Sequence, residues 1–228
     1  PFYGTNEDSV QWIAGKSWNY RSKFNVSANT LSKKNQILCF NGLDTYAKVY
    51  LNNSLILEAN NMFRTWNIDV KNILKKENNL IIKYNSTNKV EKQKQITLGY
   101  NLPGRHRVFT RKAGYHYGWD WGPKINPTGI WRKVELKSWD GCKIKDVYIA
   151  QDNLTDSLAN LSLGIEIEST EKKIIAIKAY DKKWEKFILE EGNNKLSIII
   201  RIPKPELWWP HGYGNQKLYD IPIYISDN

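Results

Sequence analysis

Residues Ala47-Lys48-Val49-Tyr50-Leu51 alternate at period two, as a strand with one buried face requires. Asn52-Asn53 follows, and asparagine tolerates the positive φ of the tight primed turns that join hairpin strands. Ser54-Leu55-Ile56-Leu57 then supplies the return strand, so residues 47–57 are predicted to form a β-hairpin. Runs of this kind recur along the 228 residues and exclude more architectures than any other property of the sequence. Strands are expected at 35–40, 64–68, 80–84 and 131–136, with a single helical turn at 70–74. No strand–helix–strand alternation occurs, which disfavours a parallel α/β sheet. After Trp139-Asp140-Gly141 the aromatic density drops and plainer strands follow at 144–149, 159–168, 173–180, 185–189, 195–202 and 218–225. Short strands at that spacing suit an immunoglobulin-like β-sandwich at 140–228. The longer segment 1–139 suits a larger antiparallel sandwich of jelly-roll type. The expected class is therefore all-β, with two sandwiches and little helix. Trp66 and Trp131 are expected in the first core, and Ile175, Ile177 and Ile200 in the second.

The composition fits packed cores, with 41% hydrophobic and 25% charged residues. The formal net charge of +11 raises the question of a nucleic-acid partner. The charge is mostly lysine spread along the whole chain, so no nucleic acid is expected. One dense basic stretch stands out, Arg105-His106-Arg107 with Arg111-Lys112. It could meet phosphate, but a solvated approach to the aromatic run that follows, or pairing with acids on a neighbouring domain, is the preferred reading. No apolar run reaches the roughly 18 residues of a membrane helix, and no membrane partner is expected. Cys39 and Cys142 lie far apart without metal-type spacing, and Cys39 sits in an apolar run where a buried thiol is the default. Five Asn-x-Ser/Thr sequons, at Asn25, Asn52, Asn85, Asn153 and Asn160, point weakly to an extracytoplasmic route: periplasmic, secreted or lysosomal.

Ten tryptophans are available. Each offers a wide apolar face to the C–H surface of a sugar ring and one N–H donor, although most fill sandwich cores. The densest cluster is Tyr115-His116-Tyr117-Gly118-Trp119-Asp120-Trp121-Gly122-Pro123. Its glycines and proline specify a fixed loop rather than a strand. Two tryptophans flanking an aspartate could provide stacking surface beside a hydroxyl acceptor. The same aspartate could equally close a turn by accepting backbone N–H groups. No Gly-x-Ser-x-Gly, His-Glu-x-x-His or phosphate-cradling glycine loop occurs, and His116 with Asp120 falls short of a zinc ligand set. No cofactor and no metal are expected.

The chain resembles the N-terminal region of family 2 β-mannosidases. The matching stretches are Pro1 to Glu7 with Trp12, Phe40 to Ala47 leading into Val49 to Asn52, and Asn61 to Trp66. Tyr115 to Pro123, Gly129 to Trp131, Pro205 to Pro210, Gly212 to Gly214 and Leu218-Tyr219 complete the set, in order from end to end. The hairpin and the last element are shared across the wider family. The Tyr115–Pro123 run is the one characteristic of β-mannosidases. The resemblance implies a galactose-binding-like jelly roll, an immunoglobulin-like domain and then a (β/α)8 barrel. The barrel is expected to lie outside these residues, as are strands before Pro1. A retaining glycosidase needs two carboxylates about 5 Å apart. In the family both are barrel glutamates, so no catalytic residue is expected here. Asn6-Glu7 echoes the barrel's acid/base pair but belongs to the front motif and is set aside. The resemblance implies substrate-binding roles for Trp119, as a wall of the terminal sugar's subsite, and for Asp120, as acceptor of hydroxyls remote from the scissile bond. A β-mannoside-containing oligosaccharide and the chain's own barrel are the implied partners. Another family 2 glycosidase, such as a glucosaminidase or galactosidase, or a stand-alone carbohydrate-binding module, is the alternative.

Overall fold

The structure, a computed structural model of the chain, describes residues 3–227. It divides into two compact units, Pro1–Ser138 and Trp139–Asn228.

The first unit carries β1 (Trp18–Asn25), β2 (Asn35–Phe40), β3 (Leu43–Asp44), β4 (Tyr46–Leu51), β5 (Ser54–Asn60), β6 (Trp66–Asp69), β7 (Glu77–Tyr84), β8 (Gly129–Ile130) and β9 (Val134–Trp139). Sheet orders are β1-β7-β4-β5, β6-β2-β9 and the pair β3-β8. The predicted hairpin is β4–β5. Asn52 and Asn53 take φ of 51° and 71°, the left-handed pair that a type I′ turn needs. Alternation decides which faces are inside: Ala47, Val49 and Leu51 of β4 and Leu80, Ile82 and Tyr84 of β7 are buried. They meet Leu38 and Phe40 of β2, with Trp66, Ile68, Val134 and Leu136 packed around them, so two sheets close on one core. The helical turn at 70–74 is present, with the Leu74 N–H donating to the Val70 carbonyl at 2.8 Å.

Several expectations for this unit fail, and β1 falls where no strand was expected. A helix spans Thr87–Leu98, where none was anticipated. Ser86 caps it by accepting the Lys89 N–H, and Gly99 ends it at φ +82°. It has no apolar stripe: its buried residues are Thr87 and Glu91. Trp131 is 41% exposed rather than in the core. It precedes β9 and lies instead over Gly42, where an added Cβ would come within 2.3 Å of its Nε1. That nitrogen donates to the Met62 carbonyl at 2.9 Å. Trp66 is half-buried against the core, as its position in β6 dictates.

The second unit contains β10 (Cys142–Leu154), β11 (Leu158–Ser169), β12 (Lys173–Ala179), β13 (Glu185–Leu189), β14 (Gly192–Pro203) and β15 (Ile223–Asp227). Two antiparallel three-stranded sheets, β10-β11-β14 and β13-β12-β15, enclose one core. Ile175, Ile177 and Ile200 are fully buried there, as expected. Each contributes roughly 1.5–3 kcal/mol by leaving water. The strand expected at 218–225 is confined to its end. Leu218 is exposed, and Pro222 can donate no ladder bond; its carbonyl accepts the Tyr180 N–H instead. Cys39 and Cys142 are not joined in a disulfide. No helix among the described residues is long and apolar enough to cross a membrane.

Candidate functional site

The aromatic run lies in the long connection between the helix Thr87–Leu98 and β8. Gly114–Tyr117 forms a 3-10 turn, and Gly118 follows at φ +99°, a conformation that needs glycine. Trp119 and Gly122 then exchange both backbone hydrogen bonds, at 3.3 and 3.4 Å. Asp120 and Trp121 are thereby held at the tip of a closed reverse turn. The Trp119 and Trp121 rings meet edge to face, 6.1 Å apart at 80°. With Tyr115, His116, Pro123 and Ile125 they line an open cleft of ≈ 750 Å³. Trp119 is 56% and Trp121 85% exposed.

Both residues singled out in the sequence, Trp119 and Asp120, therefore share one turn beside one aromatic cleft. The turn is closed by backbone alone. Asp120 is exposed, and among the described residues its carboxylate has no hydrogen bond or ion pair. The arrangement can offer stacking surface and a charged hydroxyl acceptor side by side.

A buried polar layer beneath the turn fixes the loop. Lys112, with its side chain fully buried, forms an ion pair with Asp44 and donates to the Pro127 carbonyl at 2.7 Å. One ammonium thus ties the start of the loop to its end. Asp44, on β3, also accepts the Thr45 hydroxyl. Tyr117 donates its hydroxyl to Glu91, which is fully buried on the helix Thr87–Leu98. Burial, with this carboxylate adding in the same direction, pushes the Tyr117 phenol well above its ordinary value. The front motif supplies a third tie. Glu7 accepts the Lys124 N–H at 2.6 Å, and Gln11 donates to the Lys124 carbonyl at 2.8 Å. The carboxylate that echoed a catalytic pair thus holds loop backbone. The sequence did not reveal Asp44, Glu91, Lys112 and Tyr117 as supports. Asp44 and Tyr117 fall inside quoted motifs, but no spacing rule ties them to buried partners. Among the described residues no three His, Cys, Asp or Glu side chains gather as a metal site.

His116 stands with Nδ1 3.7 Å from the Asp44 carboxylate, too far for a hydrogen bond. Burial chiefly lowers its pKa, the Lys112 ammonium lowers it further, and Asp44 opposes both. The imidazole is therefore neutral in the fold below the pH at which it charges in the unfolded chain, about 6.5. Between those two values the unfolded chain binds more protons, so stability present above about pH 6.5 is lost as pH falls through the folded value. The melting temperature should accordingly drop below that pH, and His116→Gln should flatten part of the drop. Thermal melts of both proteins across the range check this; identical slopes would contradict it.

Comparison with known proteins assigns the fold to a family. Residues 1–132 match the "Glycosyl hydrolase 2 galactose-binding domain-like" model. Residues 142–228 match "Glycosyl hydrolases family 2". The chain belongs to glycosyl hydrolase family 2. Beta-mannosidase B of Aspergillus terreus is 32% identical over 241 residues, covering 100% of this chain and 28% of the relative. Its Aspergillus niger counterpart is 33% identical, covering 99% and 28%. The crystal structure of a beta-D-mannosidase from Dictyoglomus thermophilum superposes with a TM-score of 0.91 at 37% identity, over 100% of this chain and 29% of that one. An exo-chitosanase from Amycolatopsis orientalis shares the fold, with a TM-score of 0.68 at 20% identity, over 94% of this chain and 24% of its own. This family 2 chain thus spans 28% of the length of its curated relatives. It corresponds to the accessory N-terminal part of a β-mannosidase-like glycosidase, and the described residues contain no catalytic barrel.

Proposed function

We propose that this chain is the non-catalytic front part of a retaining exoglycosidase that removes terminal β-mannosides. It contributes the Trp119–Asp120 turn as a wall of the substrate pocket and positions the catalytic barrel. The observation that carries the reading is the turn itself. Its aspartate is exposed and unpaired between two exposed tryptophans, on a loop tied down from beneath by Lys112, Tyr117 and Glu7. A rigid loop that leaves its charged acceptor free is suited to a ligand, because the cost of ordering it is met at folding and not at binding. Sugar contacts remote from the reacting bond still assist the chemistry when they tighten in the transition state. The similarity to β-mannosidases over the whole chain supports the choice of substrate.

The protein extended through a barrel is expected to hydrolyse an aryl β-mannoside with retention, in preference to the matching β-galactoside and β-glucosaminide. The 228-residue chain alone is expected to hydrolyse none of them, because a retaining mechanism needs a carboxylate pair that this chain does not supply. Colour release from the three aryl glycosides by both proteins is the measurement. Preference for another sugar would move the assignment elsewhere in the family. Turnover by the short chain that survives repurification and disappears on mutating one of its residues would overturn the non-catalytic role.

A further inference from the structure

The basic stretch Arg105-His106-Arg107 has no part in that reading. It forms a 3-10 turn, Arg105–Phe109, that walls a second cleft of ≈ 580 Å³. This cleft shares the site loop with the first: Tyr117 and Lys124 line it, whereas Trp119 and Trp121 line the aromatic one. Lys92, Arg105, Arg107 and Lys124 bring four exposed cationic side chains to its rim. Among the described residues none of the four has an ion-pair partner. Glu91 forms no ion pair with any of the four. It is fully buried, one oxygen takes the Tyr117 hydroxyl, and the other lies 3.6 Å from His106 Nε2 without a hydrogen bond.

The lining also holds a buried acceptor. Asn126 donates its amide to Asn88 at 2.9 Å, and its Oδ1 is buried with no partner among the described residues. Such an atom is costly unless a donor reaches it. A ligand that satisfies the cleft must therefore bring an anion for the guanidinium forks, which match planar or tetrahedral oxyanions. It must also bring a hydroxyl for Asn126. We propose that this cleft binds an anionic sugar, one that carries a carboxylate or a phosphate, with Arg105 and Arg107 on the anion and Asn126 Oδ1 on a hydroxyl. The proposal stands apart from the role of Asp120 toward β-mannosides.

Titration calorimetry at low salt tests it on the longest protein that carries this chain, with glucuronate, glucose 6-phosphate, inorganic phosphate and glucose as probes. Binding of glucuronate, glucose 6-phosphate or both is expected, and shows which anion the cleft takes. Either should bind more tightly than inorganic phosphate, which lacks the sugar hydroxyl, and more tightly than neutral glucose. The double variant R105S/R107S should weaken that binding about tenfold or more. Arg111→Ser, in the same basic stretch but away from the cleft, should not. Turnover of a neutral aryl β-mannoside should be unchanged in R105S/R107S. Absence of binding by both acidic sugars, or equal affinity in R105S/R107S, would overturn the proposal. So would inorganic phosphate binding as tightly as the sugar phosphate. Binding by the 228-residue chain but not by the longer protein would also overturn it, because an acidic segment of the protein would then fill the cleft.

Discussion

Asp120→Asn, in a full-length protein that carries this chain, is expected to lower kcat/KM for a β-mannoside about tenfold to a hundredfold. The substitution keeps the size and replaces a charged acceptor by a neutral amide. A hydrogen bond to a charged group contributes roughly 1.5–3 kcal/mol, which converts to that range. Asp120→Ala should cost at least as much. The melting temperature should hardly move in either variant. The carboxylate is exposed and unpaired, and the turn is closed by the Trp119 and Gly122 backbones. Surface substitutions of that kind usually stay within about 0.5 kcal/mol. A turn-closing aspartate would behave in the opposite way, losing about 1 kcal/mol of stability with unchanged kinetics. Measuring melting temperature and kcat/KM on the same preparations separates the two; reduced stability with intact kinetics would remove Asp120 from the site.

Lys112→Met should do the reverse and act first on the fold. Its ammonium and the Asp44 carboxylate are both out of water, with side-chain exposures of 0% and 4%. Burial drives the Lys112 pKa down against the pull of Asp44. Removing one partner leaves an uncompensated buried charge, which costs about 3–5 kcal/mol. The variant also frees the Pro127 carbonyl, so the loop loses the tie between its ends. Replacing both partners together, Asp44→Leu with Lys112→Met, should recover much of the loss, because a buried pair can often be exchanged for apolar residues. Denaturant unfolding of the single and double variants is the measurement. A single-variant loss below about 1 kcal/mol would show that the pair is solvated and does not hold the loop.

The parts of the fold legible in the sequence are those where one face alternates. Ala47 to Leu57 announced a hairpin through its period and its Asn-Asn turn, and Ile175, Ile177 and Ile200 announced a core. β1 was missed although Trp18, Tyr20 and Phe24 fall on alternate positions, because Ser22 interrupts that apolar face and the strand is largely exposed. The helix Thr87–Leu98 was missed for a related reason. It buries Thr87 and Glu91 rather than an apolar stripe, although Ser86 and Gly99 are recognisable end signals. Trp131 was misplaced because size and apolarity do not reveal whether a tryptophan enters a core or covers a glycine at the rim. The exposed half of the proposed site, Trp119 and Asp120, stands in the sequence as a motif. Its buried half does not: Asp44, Glu91 and Lys112 are far apart in sequence, and only the folded chain brings their charges under one loop.

As a wall of the substrate pocket, the Trp119–Asp120 turn should face a bound β-mannoside. A crystal structure of the full-length protein with a mannose-configured inhibitor tests it most directly. An Asp120 carboxylate oxygen is expected within about 3.2 Å of a sugar hydroxyl, with Trp119 lining the same subsite. A sugar bound in the catalytic pocket with the turn out of hydrogen-bonding reach would contradict it.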